Sequence, residues 1–147
     1  MQTQSLKVIF AAIVITAIAP TAYSGDNVLP PALLGQAGPL QGETLNYYKN
    51  ASGYIAQPKS TGPHGSVILI HEWNGLTNRI RDVADAMAAE GYIALAADLY
   101  SGRTGTNPPE NMALVRETLA DPETLIANLN AAARYLDDRT DSTGTVS

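Results

Sequence analysis

Two short apolar runs flank an amphipathic segment in the middle of the chain, and this arrangement constrains the fold most. Residues 67–70 read Val-Ile-Leu-Ile, and residues 92–97 read Tyr-Ile-Ala-Leu-Ala-Ala. Unbroken apolar runs of this length are typical of strands buried on both faces of a parallel sheet. Between them, apolar side chains recur at helical spacing, at Ile80, Val83, Ala84, Met87 and Ala88. Because a strand–helix–strand crossover is right-handed and pairs its strands in parallel, the sequence predicts an α/β fold.

Weaker patterns extend this unit on both sides. Residues 43–48 and 53–57, with a turn between them, predict an antiparallel hairpin. Two later helices are predicted to begin at Pro108 and at Pro122, where Asp121 is placed to cap the second. Their apolar residues are Met112, Val115 and Leu119 in the first and Leu125, Leu129, Ala132 and Leu136 in the second. Residues 144–147 resemble the start of a further strand, so we expect a mostly parallel sheet that is unfinished there.

The first 24 residues have the layout of a cleaved secretory signal. Lys7 supplies a positive charge, residues 8–19 are apolar but for one threonine, and Ala22-Tyr23-Ser24 places small residues before Gly25. A run of 12 residues is too short for a settled membrane span, which needs about 20 residues. An uncleaved N-terminal anchor and a buried helix are the alternatives.

These patterns divide the chain into three parts. We expect a signal peptide at 1–24, a linker rich in Pro, Gly and Ala at 25–42, and one domain at 43–147. The mature protein is then expected to be periplasmic or secreted, with no membrane attachment after cleavage.

Composition excludes several classes of function. The 147-residue chain has 45% hydrophobic and 16% charged residues, which indicates a globular protein. Nine Lys and Arg against fourteen Asp and Glu give a net charge of -5, and no basic cluster is present that would bind nucleic acid. Because the chain has no cysteine, disulfides, thiolate metal sites and a Cys nucleophile are excluded within these residues.

Polar residues follow both apolar runs. Residues 71–76 read His-Glu-Trp-Asn-Gly-Leu, and residues 98–100 read Asp-Leu-Tyr. In an open parallel sheet, ligands bind outside the carboxyl ends of the strands. The ordered series of strand, His-Glu-Trp-x-Gly-Leu, helix, Glu-Gly-Tyr, strand and Asp-Leu-Tyr resembles the dienelactone hydrolase family, over about residues 43–147. The resemblance implies the N-terminal half of an α/β-hydrolase fold, with an antiparallel hairpin, a mostly parallel sheet and flanking helices.

The resemblance also implies roles for two residues. Glu72 matches the acidic residue that helps to take the proton of the nucleophile, and Trp73 matches the residue whose backbone N–H forms part of the oxyanion hole. The intact enzyme is then expected to hydrolyse carboxylic esters or lactones through an acyl-enzyme, with no cofactor. From its position alone, Glu72 also fits a solvated loop carboxylate or a helix cap.

The catalytic triad of the family lies later in the chain than these two residues. It consists of a Cys or Ser nucleophile, then Asp, then His, all after the strand that begins here near Thr145. The sequence contains neither a Gly-x-Ser-x-Gly nor a Gly-x-Cys-x-Gly elbow. We therefore expect an N-terminal fragment of an exported hydrolase, truncated before the nucleophile and inactive alone.

Further polar residues near these motifs allow more than one interpretation. Tyr100 is a candidate for direct substrate contact and Arg103 for attracting a carboxylate substrate, although a loop-fixing hydrogen bond and a solvent-facing charge are the simpler interpretations. Asp98 is expected to fix its loop by hydrogen bonds. His71 is expected to have a structural role, and its spacing from His64 and Glu72 matches no compact zinc motif, so no metal is expected.

Two other functions stay open at this point. The chain also fits a non-catalytic binding or interaction protein built on half the fold, whose exposed sheet edge could associate with a second copy. A complete esterase would need His64 or His71 as its base. It would also need an unrecognised serine as nucleophile. Ser66 is predicted at the start of a strand, the wrong end of the sheet, and Ser101 in a loop without a strand-to-helix turn.

Overall fold

The structure is a computed structural model that describes residues 31, 32, 34 and 36–146. Its elements, in chain order, are β1 (Glu43–Tyr48), β2 (Ala51–Ala56), β3 (His64–Ile70), α1 (Asn78–Ala89), β4 (Ile93–Ala97), α2 (Pro108–Ala120), α3 (Pro122–Asp137) and β5 (Ser142–Val146). The signal peptide predicted at 1–24 lies outside the described residues, as do residues 25–30, 33 and 35 of the predicted linker. None of the helices in the described part combines the length and the apolar character needed to cross a membrane.

The five strands form one mixed sheet in the order β1-β2-β4-β3-β5. Strand β2 is antiparallel to β1 and to β4, whereas β3 is parallel to both β4 and β5. In the central parallel pair, Ser66 lies opposite Ile93 and Ile70 lies opposite Ala97. The predicted α/β class, the β-α-β unit and the antiparallel hairpin are therefore confirmed, and two of the four strand pairings are parallel.

Helices α1 and α3 cover opposite faces of the sheet around β4. Successive residues of a strand point to opposite faces, so Ala94 and Ala96 pack with α1 while Ile93 and Leu95 pack with α3. The buried apolar residues that the two helices contribute are Ile80, Ala84 and Ala88 from α1 and Ala132 and Leu136 from α3. All five residues of β4 are buried, whereas Tyr92, which the sequence prediction included in this strand, precedes it and is 40% exposed.

Strand β3 is less buried than its apolar sequence predicts. Ser66 is its one fully buried residue, and Ile70 at its carboxyl end is 45% exposed. Val67 and Leu69 are only partly buried against the core cluster of α1, because α1 packs mainly over β4 and β2. The expectation that both faces of residues 67–70 are buried is therefore wrong for the described chain.

Helix α2 also presents a different face from the one that its apolar residues indicate. Met112 and Leu119 are 40% and 65% exposed, and the buried residues are Asn111 and Leu114. In the orientation that satisfies its amide, the Asn111 nitrogen donates to the carbonyls of Gly105 and Asn107, at 3.2 Å each. Helix α2 packs on α3 rather than on the sheet. The face of α2 that is buried is therefore the one that makes these polar contacts.

The helix ends follow local signals in the sequence. The Asp121 carboxylate accepts from the Thr124 N–H at 3.0 Å at the start of α3, which confirms the predicted cap. Asn107 does the same for α2, where its side chain accepts from the Glu110 N–H at 3.1 Å. Gly91, with φ of 98°, follows the end of α1 in the left-handed conformation expected there.

The residues just before β1 are attached to α1. The Asp85 carboxylate accepts from the backbone N–H of Gln41 at 2.8 Å and of Gly42 at 3.1 Å. The Tyr54 hydroxyl donates to the same carboxylate at 2.7 Å. Burial raises the pKa of Tyr54 to about 12, so the hydroxyl keeps its proton for this bond.

Candidate active site

The parallel pairing of β3 and β4 brings two polar loops to one edge of the sheet. Because Ile70 pairs with Ala97, the loop that begins at His71 and the loop that begins at Asp98 leave the sheet side by side. We call residues 71–77 the β3 loop and residues 98–106 the β4 loop. The expectation that both motifs lie at the carboxyl edge of neighbouring parallel strands is confirmed.

The β3 loop turns sharply at its second residue. The Gly75 N–H donates to the Glu72 carbonyl at 3.1 Å and closes a four-residue turn. Gly75 has φ of 95°, a conformation that residues with a Cβ rarely adopt. The Gly105 N–H of the β4 loop donates to the Asn74 carbonyl at 3.0 Å, so the main chains of the two loops are joined.

His71 is buried between the two loops and bonded to both. Its Nε2 accepts from the Leu99 N–H at 3.2 Å, and its Nδ1 lies 2.7 Å from the Glu72 carbonyl. Since an amide N–H only donates and a carbonyl only accepts, this network assigns the proton to Nδ1. Burial lowers the pKa of His71, against opposing contributions from the Glu72 carbonyl and the Asp98 carboxylate. The ring therefore has the structural hydrogen-bonding role expected of it.

Tyr100 connects the β4 loop to the backbone of Trp73. Its ring packs edge-on against the His71 ring, with centroids 4.5 Å apart, and its hydroxyl donates to the Trp73 carbonyl at 3.2 Å. Tyr100 is buried, and this burial raises the pKa of its hydroxyl. The structure shows the loop-fixing interaction, and a substrate contact by Tyr100 stays a prediction.

Asp98 organises the start of the β4 loop. Its buried carboxylate accepts from the backbone N–H groups of Tyr100 at 3.1 Å and Gly102 at 2.6 Å, and from the Ser52 N–H of β2 at 3.1 Å. Within this loop Ser101 has a left-handed backbone, with φ of 54°. Three N–H donors stabilise a buried carboxylate, so Asp98 fixes its loop as expected.

Asn128 of α3 and Tyr47 of β1, which were not predicted as site residues, hold the main chain of Asp98. The Asn128 amide donates to the Asp98 carbonyl at 2.9 Å, and the Tyr47 hydroxyl accepts from the Asp98 N–H at 3.0 Å. Tyr47 in turn donates to Asn128 at 2.5 Å, and burial raises the pKa of Tyr47 to about 12. The sequence did contain a signal, because Asn128 lies four residues before Ala132 on the buried face of α3.

Glu72 and Trp73 occupy the exposed side of the β3 loop. The Glu72 carboxylate is about half exposed, with Arg79 Nε of α1 3.9 Å away. The Trp73 side chain is 47% exposed. Within the described residues the Trp73 backbone N–H donates to no other residue. The loop thus presents a carboxylate that can share a proton and, one residue on, an N–H that can bind developing negative charge.

Arg103 is held by an acidic partner. Its guanidinium makes two parallel bonds of 2.9 Å to the Glu117 carboxylate of α2, and its Nε donates to the Tyr100 carbonyl at 3.1 Å. The side chain is half exposed and its pKa is raised, mainly by the bonds to Glu117. Its role towards an anionic substrate stays a prediction.

Two surface grooves meet at Arg103. A groove of about 270 Å³ runs between the β1–β2 turn, the β4 loop and the helices α2 and α3, and includes Lys49, Ser101 and Thr124. A groove of about 320 Å³ lies on the other side of the β4 loop, and includes Thr77, Asn78 and Arg81. Glu72 and Trp73 line neither of these two grooves, whereas Arg103 lines both.

Metal ligands do not gather in the described part of the chain, where no group of three or more His, Asp or Glu side chains is placed to hold an ion. His64 is the first residue of β3 rather than a loop residue, and His71 follows the last residue of the same strand. At about 3.3 Å per residue the two histidines lie roughly 20 Å apart, so they cannot bind the same metal ion.

Comparisons with known proteins agree with the motif series. Residues 51–146 match the model of the dienelactone hydrolase family. Protein usf of Aquifex pyrophilus is 41% identical over 75 residues, which cover 47% of this chain and 32% of the relative. A protein of Aquifex aeolicus assigned as a carboxymethylenebutenolidase is 38% identical over 82 residues, which cover 52% of this chain and 35% of the relative.

The fold agrees with solved structures of the same family. A Klebsiella pneumoniae protein assigned as a dienelactone hydrolase has a TM-score of 0.59 and 25% identity, with 72% of this chain and 47% of that chain covered. The chain spans about a third of the length of the curated relatives and about half of the length of this structure. The family match spans most of the described residues and confirms the resemblance seen in the motifs. The chain belongs to the dienelactone hydrolase family.

Proposed function

We propose that the β3 loop is part of the active site of a hydrolase that cleaves carboxylic esters or lactones. One observation carries this proposal: the Trp73 N–H is unpaired among the described residues and lies next to the exposed Glu72 carboxylate, at the carboxyl edge of the sheet. The family of the chain is one of hydrolases that act on small molecules.

In this proposal the two residues act on different atoms of the reaction. The Glu72 carboxylate takes part of the proton of an incoming hydroxyl or thiol, because such a group is a poor nucleophile until a base shares its proton. The Trp73 N–H donates to the oxygen that becomes negative as the carbonyl is attacked. Arg79 Nε lies 3.9 Å from the Glu72 carboxylate, and both side chains are about half exposed.

Substrate recognition is assigned to the β4 loop. Arg103 lies at the junction of two grooves and can attract a carboxylate group of the substrate, in competition with Glu117. Tyr100 can contact substrate only at the edge of its buried ring, since its hydroxyl is bonded to Trp73.

The proposal includes two statements about the chain as a whole. The first is export through residues 1–24, with a periplasmic or secreted location. The second is that these 147 residues, as one part of the catalytic machinery without a nucleophile elbow in their sequence, do not turn over esters alone.

Two measurements on the full chain test the proposal. With 4-nitrophenyl acetate we expect no turnover above that of the Glu72→Gln variant; turnover that purification retains and the substitution abolishes would contradict inactivity while supporting the role of Glu72. With a non-hydrolysable analogue, such as a small phosphonate, we expect amide shift changes in residues 71–77 and 98–106. Amide shift changes confined to other residues would contradict the proposed location of the site.

A non-catalytic interaction protein is the second candidate. Leu119 of α2 and Ile126 of α3 are 65% and 52% exposed, and β5 forms one edge of the described sheet. Exposed strand edges and apolar side chains promote association. Sedimentation distinguishes the candidates, because an interaction protein of this kind forms a defined dimer that Leu119→Lys or Ile126→Lys disrupts.

A further inference from the structure

One planar peptide links the Glu72 carbonyl to the Trp73 N–H. In a trans peptide these two groups point in opposite directions. The carbonyl is held by two donors, the His71 Nδ1–H at 2.7 Å and the Gly75 N–H at 3.1 Å. Because the carbonyl is turned towards the buried His71 ring, the Trp73 N–H must be turned away from it. The direction of the proposed oxyanion donor therefore depends on the bond that His71 makes to the residue before it.

His71 can hold this carbonyl only because its own ring is fixed. The Leu99 N–H donates to Nε2 at 3.2 Å, and the Tyr100 ring packs edge-on against the imidazole. Both are parts of the β4 loop, whose start is secured by Asp98. The contact thus runs from the β4 loop through one side chain to one peptide of the β3 loop.

Protonation of His71 removes one of the two hydrogen bonds of its ring, the one from Leu99. A second proton on His71 would sit on Nε2 and face the Leu99 N–H, so that two donors oppose each other. The titratable or charged groups around the ring are Asp98 and Tyr100 from the β4 loop and Glu72 from the β3 loop, whose carboxylate is directed to Arg79 of α1. Asp98 already accepts from three N–H groups and offers no direct bond to the imidazolium.

We propose that His71 is a positioning residue, whose Nδ1–H aims the Trp73 N–H outward by holding the Glu72 carbonyl, and that protonation breaks the Leu99 bond while the bond to this carbonyl remains. The use of that N–H as an oxyanion donor rests on the proposed function, whereas the control of its direction does not.

Two substitutions separate the two bonds of the ring. His71→Asn places an amide donor where Nδ1 lies and keeps the bond to the Glu72 carbonyl. His71→Gln reaches the position of Nε2 with an amide oxygen, so it keeps the bond from Leu99 and loses the bond to Glu72. His64→Gln is the matched control, because His64 lies at the other end of β3 and its side chain bonds only to the Ser60 carbonyl among the described residues.

The test is ¹⁵N nuclear magnetic resonance of the full chain between about pH 8 and pH 5, a range centred on the ordinary pKa of histidine. We expect the neutral His71 ring to carry its proton on Nδ1, the minor tautomer of free histidine. The Leu99 amide should shift as His71 titrates, in the wild type and in His64→Gln, because the added proton on Nε2 faces the Leu99 N–H.

The two His71 variants give opposite outcomes for the Trp73 amide. In His71→Asn it should keep its wild-type position at neutral pH, because a donor to the Glu72 carbonyl remains, and in His71→Gln it should move, because that donor is lost. A proton on Nε2 in the wild type, or a Trp73 amide that does not move in His71→Gln, would overturn the proposal. The tautomer is measured in the wild type, so this part of the test does not depend on whether a variant folds. No hydrolysis assay is used, so the result is independent of the proposed function.

Discussion

Gly75 lies directly against the main chain of Arg103, so that a Cβ atom on Gly75 would stand 2.6 Å from the Arg103 carbonyl oxygen. Gly75 belongs to the β3 loop and Arg103 to the β4 loop. The Gly105–Asn74 backbone bond, the His71–Leu99 bond and the Tyr100–Trp73 bond join the same two loops. The loops that carry the proposed chemistry are therefore one packed unit, and the predictions below test its parts.

The contact between Gly75 and Arg103 predicts a large effect of one methyl group. In Gly75→Ala the new Cβ meets a backbone oxygen and the residue must hold φ of 95°, so we expect a loss of about 2–4 kcal/mol of unfolding free energy. Gly91→Ala is the matched control, because Gly91 has φ of 98° with nothing within 4 Å of its Cβ position. Urea unfolding should show a smaller loss for Gly91→Ala; equal losses would mean that the loop contact contributes nothing.

The bonds of Asn128 predict that a polar residue inside α3 is stabilising. Asn128→Ala leaves the Asp98 carbonyl and the Tyr47 hydroxyl without this partner, at a cost of about 1–3 kcal/mol for each buried group. Asn130→Ala on the same helix is the control, since Asn130 makes no side-chain hydrogen bond to another described residue. Equal stabilities of the two variants in urea would contradict the role of Asn128.

Stability should fall on mild acidification because of His71. Its folded-state pKa is lowered from 6.5, so the unfolded chain binds the proton first as the pH falls. The contribution is therefore fully present above about pH 6.5 and is lost as the pH falls through the lowered folded value, by about 1.4 kcal/mol for each unit of lowering. His71→Asn should remove this slope above about pH 5, where carboxylates remain ionised, whereas His64→Gln should retain it. A slope that survives in His71→Asn would assign it to another group.

Arg103 should bind small carboxylates in competition with Glu117. If the guanidinium recognises the substrate, Glu117→Gln frees it and should tighten benzoate binding severalfold, whereas Arg103→Gln should abolish binding. Arg116→Gln, on the helix α2 that carries Glu117, controls for the loss of one positive charge. Titrations followed by amide shifts check this, and equal affinity in the wild type, Arg103→Gln and Glu117→Gln would exclude a substrate role.

Elements with strong local patterns could be predicted from sequence, and elements whose burial depends on distant partners could not. The β-α-β unit was predicted because residues 67–70 and β4 are unbroken apolar runs and α1 has apolar residues at helical spacing. The buried face of α2 was not, since Met112 and Leu119 are apolar yet exposed while Asn111 is buried by its bonds to Gly105 and Asn107. The partial exposure of β3 likewise depends on where α1 packs.

The candidate site shows the same division. The order of the motifs placed Glu72 and Trp73 at the carboxyl edge of β3, because a strand followed by a helix fixes where its loop must lie. The bonds that hold the β3 and β4 loops connect residues 28 and 30 positions apart, in the pairs His71–Leu99 and Asp98–Asn128. No local pattern specifies such pairs, so only the folded chain reveals that His71 serves both loops.

Amide hydrogen exchange shows whether the Trp73 N–H is free, because an oxyanion donor at this position requires an outward, unpaired N–H within a fixed loop. Trp73 should exchange close to the rate of an unstructured peptide, while Leu99, Tyr100 and Gly102, whose N–H groups are bonded to His71 and Asp98, should exchange at least about tenfold more slowly. A Trp73 amide as protected as that of Leu99 would show that the donor is already occupied and would contradict the account.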